Sequence, residues 1–374
     1  MINLILRNFI KLIISLVGFF IRPLVREPAK INKPERIGIL LWGGIGNYVL
    51  FSPALYGIRE RFPDAHLAIC SFPPFASSMF FKSVDCFITI NGNPSLKRLI
   101  KLLFLVKRFK PDIVLSNSMS PTFLTSFIAF LSGAKVRIGM DRGFRGFLNN
   151  IRIGERKEHE VLTNNRIAQA LFVDTDEEPL AIDISENDRK IAEGAVNHFF
   201  MGREDWPLVA IQPGSGKKQL FKRWDMGKFK ALTERLLQKG WKVVIVGTEE
   251  EKEEIEYIEK SIKHNRLKIL KERLTLPQIT HFLKYFDLII ANDTSLVHLA
   301  AISSVPSVVI YGPTNPAKNK AWGVKSRLVR KELPCSPCYN FRTPNCRYNF
   351  KCLKEIAVED VLAAAQALLA NQTK

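Results

Sequence analysis

The chain has 374 residues, which is enough for two domains with separate hydrophobic cores. Its composition, 47% hydrophobic and 24% charged with 21 Gly and 20 Pro, excludes collagen, coiled coil and wholesale disorder. The formal net charge of +19 predicts an anionic partner, such as a phosphorylated substrate, an anionic membrane or a nucleic acid. No zinc-finger, helix-turn-helix or RNA-binding signature is present, so we expect no nucleic-acid partner.

Residues 1–30 form an apolar and basic N-terminal segment. The longest run without a charged residue covers only residues 12–21, whereas a membrane-spanning helix needs about 20 apolar residues. We therefore expect a helix that lies in the membrane interface. A spanning helix or signal anchor, and an ordinary helix packed on the protein, are the alternatives. The basic residues that follow predict that the rest of the chain is cytoplasmic.

From residue 36 onward, short apolar runs alternate with amphipathic segments. This rhythm predicts the α/β class, with parallel, doubly wound sheets in two successive halves. The predicted strands cover 37–42, 67–71, 86–90, 112–116, 136–139, 208–212, 242–247, 287–291 and 307–311. The predicted helices cover 48–62, 122–131, 158–173, 185–201, 225–239, 249–264, 275–285, 296–302 and 358–371. Ligands of such sheets bind beyond the carboxyl ends of the strands.

A glycine-rich turn follows the first predicted strand. Gly43, Gly44 and Gly46 come between the end of that strand and a helix that begins near Asn47. Glycines allow a ligand to approach the backbone closely, and a helix N-terminus favours an anion. The spacing is not that of a G-x-G-x-x-G loop, so a ligand-binding turn and a tight structural turn are both open readings.

A second turn, residues 213–216, follows the first strand of the second half. Its backbone N–H groups and the Ser215 hydroxyl are suited to cradle a phosphate, and Lys222 adds positive charge nearby. The Walker A spacing is absent, which argues against a P-loop NTPase. The alternative is a solvated basic loop. Asp225 is a candidate N-cap for the helix that follows.

A third turn follows the strand predicted over 287–291. Asp293, Thr294 and Ser295 lie where this strand passes into a helix, and His298 follows on that helix. Free amides and two hydroxyls at a helix N-terminus favour an anion. The alternative makes Asp293 a helix cap and His298 a core residue.

Four cysteines lie close together near the C-terminus. Cys335, Cys338, Cys346 and Cys352 are a candidate ligand set for a structural zinc ion. The second pair is spaced more widely than in common zinc ribbons, so free or redox-variable thiols are the alternative.

Together, these motifs resemble glycosyltransferase family 9, the lipopolysaccharide heptosyltransferases. The resemblance rests on GIGNYVLFSPAL, on QPGSGKK followed by KRW, on NDTSLVHLAA and YGPTNP, and on the Cys-rich segment 335–352. It implies a GT-B fold, in which two Rossmann-like domains face a cleft. Residues 31–180 would form the acceptor domain and 181–355 the nucleotide-sugar domain, followed by a C-terminal helix over 356–374.

The resemblance also implies roles for individual residues. By the family pattern, Ser215 and Lys222 hold the donor diphosphate, and Glu249 reaches the adenosine ribose. Lys222 and Asp293 are the catalytic candidates of the second half. The implied donor-binding residues are Gly214, Ser215, Lys222, Glu249, Asp293, Thr294, Ser295 and His298, and the implied acceptor loop contains Gly44, Gly46 and Asn47.

The sequence departs from the family at Asn47. The family's proposed general base is an Asp directly after the Gly of the first motif, and an amide cannot accept the proton. One explanation is that another carboxylate replaces it, for which Asp141 is a candidate because it follows the strand over 136–139. Alternatively, the acceptor phosphate serves as the base, or the protein binds its ligands without efficient catalysis.

The implied reaction is an inverting, metal-independent transfer of a heptose or related sugar from an ADP-sugar. The implied acceptor is a lipid-linked inner-core lipopolysaccharide at the cytoplasmic face of the inner membrane. The protein would be held there peripherally or by an N-terminal anchor. The alternatives are a catalytically impaired binding protein for a nucleotide sugar or glycolipid, and a transferase for another surface glycan.

Overall fold

The computed structural model describes residues 2–28, 31–72, 75–92, 94–175, 179–199, 206–339 and 345–370. The chain divides into two units, Met1–Asp183 and Ile184–Lys374, and each unit has its own parallel sheet. This division falls close to the predicted boundary at residue 180. The predicted helices over 185–201 and 358–371 include residues 200, 201 and 371, which lie outside the described residues.

The first unit contains a sheet of six parallel strands, which are β1 (Arg36–Leu40), β2 (His66–Ser71), β3 (Cys86–Thr89), β4 (Ile113–Ser116), β5 (Val136–Asp141) and β6 (Ile151–Gly154). Their order in the sheet is β3-β2-β1-β4-β5-β6. The helices are α1 (Ile2–Ile21), α2 (Ile45–Val49), α3 (Ser52–Arg61), α4 (Phe75–Met79), α5 (Leu96–Phe109), α6 (Thr122–Leu131) and α7 (Glu160–Gln169). The order reverses between β1 and β4, and such a switch point is where Rossmann-like sheets bind ligands.

The second unit repeats this arrangement with β7 (Leu208–Gln212), β8 (Lys242–Ile245), β9 (Leu267–Ile269), β10 (Leu288–Asn292), β11 (Ser307–Ile310) and β12 (Ser326–Val329). The strand order is β12-β11-β10-β7-β8-β9, so the switch point lies between β7 and β10. The helices are α8 (Glu186–Phe199), α9 (Met226–Gln238), α10 (Lys252–Ser261), α11 (Leu276–Leu283), α12 (Ser295–Ile302), α13 (Pro316–Asn319), α14 (Lys351–Lys354) and α15 (Val358–Ala370).

Each core forms because the central strands are apolar along their whole length. All of β4 and β10 is buried, as expected for parallel strands covered on both faces. In the first unit, Leu102 and Val106 of α5 share a cluster with Ile128 of α6. In the second, Trp224 and residues of α9 and α15 belong to one cluster with the sheet. The C-terminal helix is therefore part of the second unit.

The helix predicted over 48–62 is two helices, α2 and α3. Pro53 lies in the first turn of α3, where its missing N–H is tolerated, but it cannot continue a helix from α2. In a continuous helix the Val49 carbonyl would accept from the N–H of residue 53. Here it accepts from the Ser52 hydroxyl, at 2.7 Å. The break ends α2 one turn after the glycine loop.

Three strands, β6, β9 and β12, are absent from the sequence predictions. They have three or four residues each, and most of these are partly exposed. All three lie at a sheet edge, where Arg or Lys interrupts the apolar run because only one side has a neighbouring strand. The continuous apolar runs from which the other strands were predicted therefore do not occur here.

The N-terminal helix α1 packs on the first unit near its C-terminal end. The Phe19 ring meets the Phe144 ring edge-on at 5.6 Å between centroids, and Arg22 pairs with Asp141 at 3.5 Å. Other apolar side chains of α1 are more than half exposed, among them Phe9, Leu12, Leu16 and Phe20. Among the described residues, no helix is both long enough and apolar enough to span a bilayer.

Candidate active site

Asn292 joins two turns at the switch point of the second unit. It is the last residue of β10 and is fully buried. Its side-chain amide donates to the carbonyls of Pro213, at 3.0 Å, and Gly214, at 2.9 Å. Its carbonyl oxygen accepts from the Trp224 backbone N–H at 3.0 Å. The turn after β7 and the turn after β10 are therefore held as one surface, which we call the second-unit site.

Lys222 and Asp293 form a buried ion pair in this second-unit site. The Lys222 Nζ lies 3.0 Å from the Asp293 Oδ2, and their side chains are 10% and 5% exposed. The same ammonium donates to the Asp293 main-chain carbonyl at 3.3 Å. A cation fixed in such low-dielectric surroundings acts on an anion more strongly than it would in water. The structure thus brings together the two catalytic candidates of the second half.

A short chain of hydrogen bonds fixes Thr294, the residue that follows Asp293. The Thr294 hydroxyl donates to the Gln212 Oε1 at 2.5 Å, and the Gln212 Nε2 donates to the Glu251 Oε1 at 2.8 Å. Burial raises the pKa of Glu251. Gly214 packs so tightly on this carboxylate that an added Cβ would lie 2.4 Å from the Glu251 Cγ. A side chain at residue 214 would therefore disturb the network.

The other residues predicted to bind the sugar donor make contacts of their own. Ser215 is fully buried, and its hydroxyl donates to the Gln219 carbonyl at 2.9 Å. Glu249 is exposed and pairs with Arg273 at 3.0 Å. Ser295 is the first residue of α12, and His298 is buried on the same helix. Their roles toward a donor stay predictions. The predicted N-cap is confirmed, since Asp225 accepts from the Lys228 N–H at 3.0 Å.

An aromatic ring covers Lys222. The Lys222 Nζ lies 5.7 Å from the centroid of the Tyr339 ring, and this ring packs on Phe221 with 5.0 Å between centroids. The backbone N–H groups of Cys338 and Tyr339 both donate to the Pro313 carbonyl, at 2.9 and 2.8 Å. The start of the Cys-rich segment thereby docks on the turn after β11. Sequence reasoning missed Tyr339.

The four clustered cysteines are free thiols. Burial raises the pKa of Cys352 to about 11, and Cys338, Cys346 and Cys335 add to the rise. The described residues omit 340–344 within this segment. Among those that are described, no three His, Cys, Asp or Glu side chains are grouped so that they could hold a metal ion. The four thiols would have to move closer together to bind a zinc ion, so the zinc site stays a prediction.

At the switch point of the first unit, Asn47 closes the glycine loop. Gly43 has φ +121°, which side chains rarely adopt, and the Asn47 side chain fills the space above it. The Asn47 Oδ1 accepts from the Gly44 N–H at 3.0 Å. The Asn47 Nδ2 donates to the Glu160 Oε2 at 3.3 Å. The loop residues Gly44, Gly46 and Asn47 lie together as predicted, next to a carboxylate that the sequence analysis missed.

Asp141, the predicted substitute base, is already engaged. It lies at the end of β5, where its carboxylate pairs with Arg22 at 3.5 Å. It also accepts from the Gly146 backbone N–H at 3.2 Å. Both oxygens of the Asp141 carboxylate therefore already have a partner within the first unit. The geometry therefore favours a positioning role for Asp141 in the loop after β5.

Two successive Rossmann-like parallel sheets, each with polar residues at its switch point, match the GT-B fold of glycosyltransferases. The family model "Glycosyltransferase family 9 (heptosyltransferase)" matches residues 106–348. The chain belongs to glycosyltransferase family 9 and is a glycosyltransferase, so the family and the fold class predicted from the sequence are confirmed.

Individual relatives agree with this assignment. The chain is 27% identical to lipooligosaccharide heptosyltransferase 2 of Campylobacter jejuni serotype O:2 over 331 residues, which cover 87% of this chain and 96% of the relative. Its fold is similar to that of a family 9 glycosyltransferase from Veillonella parvula, with TM-score 0.72, 21% identity, and 92% and 99% of the two chains covered. Escherichia coli ADP-heptose LPS heptosyltransferase II gives TM-score 0.67 at 20% identity, with 91% and 100% covered.

Proposed function

We propose that this protein transfers a heptose from an ADP-sugar to a lipid-linked acceptor of the lipopolysaccharide inner core. Heptosyltransferase relatives that align along most of the chain support the reaction class. The observation that carries the proposal is the buried Lys222–Asp293 pair at the switch point of the second unit. It fixes a cation where a Rossmann-like sheet binds its ligand.

The chemistry explains why a fixed cation is useful. When the bond between the sugar and the nucleoside diphosphate breaks, negative charge develops on the diphosphate. Lys222 and the free N–H groups at the start of α12 are suited to stabilise this charge. We propose that these groups take the place of a catalytic metal ion. Attack by the acceptor hydroxyl from the opposite side would invert the anomeric carbon.

A panel of nucleotide sugars tests this function. We expect ADP-heptose to give the fastest nucleotide release when a truncated lipid-linked core acceptor is present. We also expect release to persist after treatment with EDTA. A preference for a different sugar would indicate the transferase of another surface glycan. Lack of turnover with every donor would contradict the proposed function.

Asn47 motivates a second candidate function, a nucleotide-sugar or glycolipid binding protein. Its amide is engaged with Gly44 and Glu160 and cannot act as a base. This reading predicts that ADP-heptose binds, as measured by calorimetry, while acceptor-dependent release stays at the background rate. Turnover above that background would exclude it.

We further propose that α1 attaches the protein to the cytoplasmic face of the inner membrane. Its exposed apolar side chains and the net charge of +19 are suited to an anionic bilayer. Changing Leu12, Leu16 and Phe20 to Glu is expected to abolish flotation with phosphatidylglycerol vesicles. The fold should be retained, because the three side chains are 57%, 53% and 71% exposed.

A matched control uses a second exposed apolar row. Leu96, Ile100 and Phe104 on α5 are also more than half exposed, and changing them to Glu should leave flotation intact. Flotation that survives the α1 changes but fails after the α5 changes would assign the membrane contact to α5.

The predicted structural zinc is tested by metal analysis of the purified protein. We expect about one zinc per chain in the native protein, and loss of that zinc when Cys335 and Cys338 are changed to Ser. Cys70 is a matched control, because it is buried in the sheet of the first unit. Purified native protein that contains no zinc would contradict the prediction.

A further inference from the structure

Glu160 lies beside the glycine loop, although it follows Asn47 by 113 residues in the sequence. It is the first residue of α7, and 8% of its surface is exposed. Its Oε2 lies 3.3 Å from the Asn47 Nδ2. An aspartate at residue 47 would carry an oxygen in the place of that nitrogen. A carboxylate is therefore present one hydrogen bond away from the site where the family pattern expects one.

The surrounding structure fixes Glu160 relative to the loop. Asn164, one turn further along α7, accepts from the Ser118 N–H at 2.8 Å and donates to the Leu50 carbonyl at 3.0 Å. These contacts tie α7 both to the residues after β4 and to the residue that follows α2. Precise positioning of this kind is what a proton-transferring group requires.

The other nearby carboxylates have different contacts. Asp141 is held by Arg22 and Gly146, and Glu158 accepts from Arg166 at 2.5 Å. Glu155 pairs with Arg142 at 3.4 Å. Within the part of the chain that the structure describes, Glu160 supplies a carboxylate that contacts the glycine loop through Asn47. This contact distinguishes it from the other three.

We propose that Glu160 is the general base of this enzyme and compensates for the amide at residue 47. The acceptor hydroxyl gives its proton to the Glu160 carboxylate, directly or through one water. The hydroxyl oxygen forms the bond to the anomeric carbon. The bond from that carbon to the nucleoside diphosphate breaks, and its electron pair leaves with the diphosphate. This inference rests on the proposed glycosyl transfer.

The test compares wild type with E160Q, N47D and the double variant N47D/E160Q in acceptor-dependent nucleotide release. E160Q keeps an oxygen for the Asn47 hydrogen bond but cannot take a proton. We expect it to lower kcat by about 10²- to 10⁴-fold, with little change in the donor KM. N47D/E160Q restores a carboxylate to the loop and should recover at least about tenfold over E160Q.

E158Q is the matched control, because Glu158 lies two residues away and its contacts are with α7 residues Thr163 and Arg166. It should keep kcat within about threefold of wild type. If E160Q unfolds at a lower temperature than wild type, E160D is measured as well. E160D keeps the carboxylate, so it should retain more turnover per folded molecule than E160Q.

Wild-type kcat in E160Q would overturn the assignment while leaving glycosyl transfer intact. An inactive wild type that becomes active as N47D would also overturn it, and would favour the binding-protein reading. Inactivity of both would contradict the proposed function itself.

Discussion

Replacing Lys222 with Met is expected to lower kcat by about 10²- to 10³-fold, the usual loss when one positioned donor to a developing anion is removed. The Lys222 ammonium is held 3.0 Å from the Asp293 carboxylate and 5.7 Å from the centroid of the Tyr339 ring, so its position toward the developing anion is fixed. Acceptor-dependent nucleotide release at saturating donor measures the effect.

The same variant leaves Asp293 buried without its cation, which is expected to cost about 3–5 kcal/mol of unfolding free energy. The double variant K222M/D293N separates the two effects, because it removes both charges. It should regain most of the lost stability without regaining turnover. K230M is the control, since Lys230 pairs with Glu234 on the surface of α9, and such a pair contributes about 0.3–0.5 kcal/mol. Turnover of K222M within about threefold of wild type would contradict the assigned role.

Replacing Asn292 with Ala is expected to lower the unfolding free energy by at least about 3 kcal/mol. The fully buried side chain makes three hydrogen bonds to main-chain groups of Pro213, Gly214 and Trp224. Each orphaned group costs about 1–3 kcal/mol, because no water replaces the lost partner. Urea unfolding followed by tryptophan fluorescence measures the loss.

Transfer should also fall in N292A at temperatures where it is folded, because the turns after β7 and β10 are no longer tied together. N315A is the control: Asn315 only caps the short helix α13 by accepting from the Ala317 N–H, and its loss should cost about 1 kcal/mol. A urea midpoint for N292A equal to that of N315A would show that Asn292 does not hold the site together.

Much of the fold was predictable from the sequence because parallel strands buried on both faces are continuous apolar runs. Strands such as β4, β7 and β10 were found for this reason. The edge strands β6, β9 and β12 carry no such run, and the break between α2 and α3 depends on Pro53. Alternation of apolar runs is therefore informative at the centre of a sheet and weak at three of the four sheet edges, the exception being β3.

Local sequence pattern predicted the site residues that directly follow strands, whereas the role of Lys222, ten residues after β7, came from the family resemblance. Asp293 and the glycine loop follow strands directly, and both lie at the switch points. Glu160 and Tyr339 reach the sites through contacts with residues more than 100 positions away in the sequence. No local pattern encodes those contacts, since an acidic residue in the first turn of a helix is also typical of ordinary capping. Asn292 gave one signal, a polar residue at the end of a buried strand.

The most direct test of the account is mass analysis of a truncated lipid-linked core acceptor after incubation with the full chain and ADP-heptose. Wild-type protein should give acceptor molecules that are heavier by a single heptose, and K222M should give at least about 100-fold less of this product over the same incubation. Unmodified acceptor with wild-type protein that binds ADP-heptose, or product formed equally by K222M, would contradict the account.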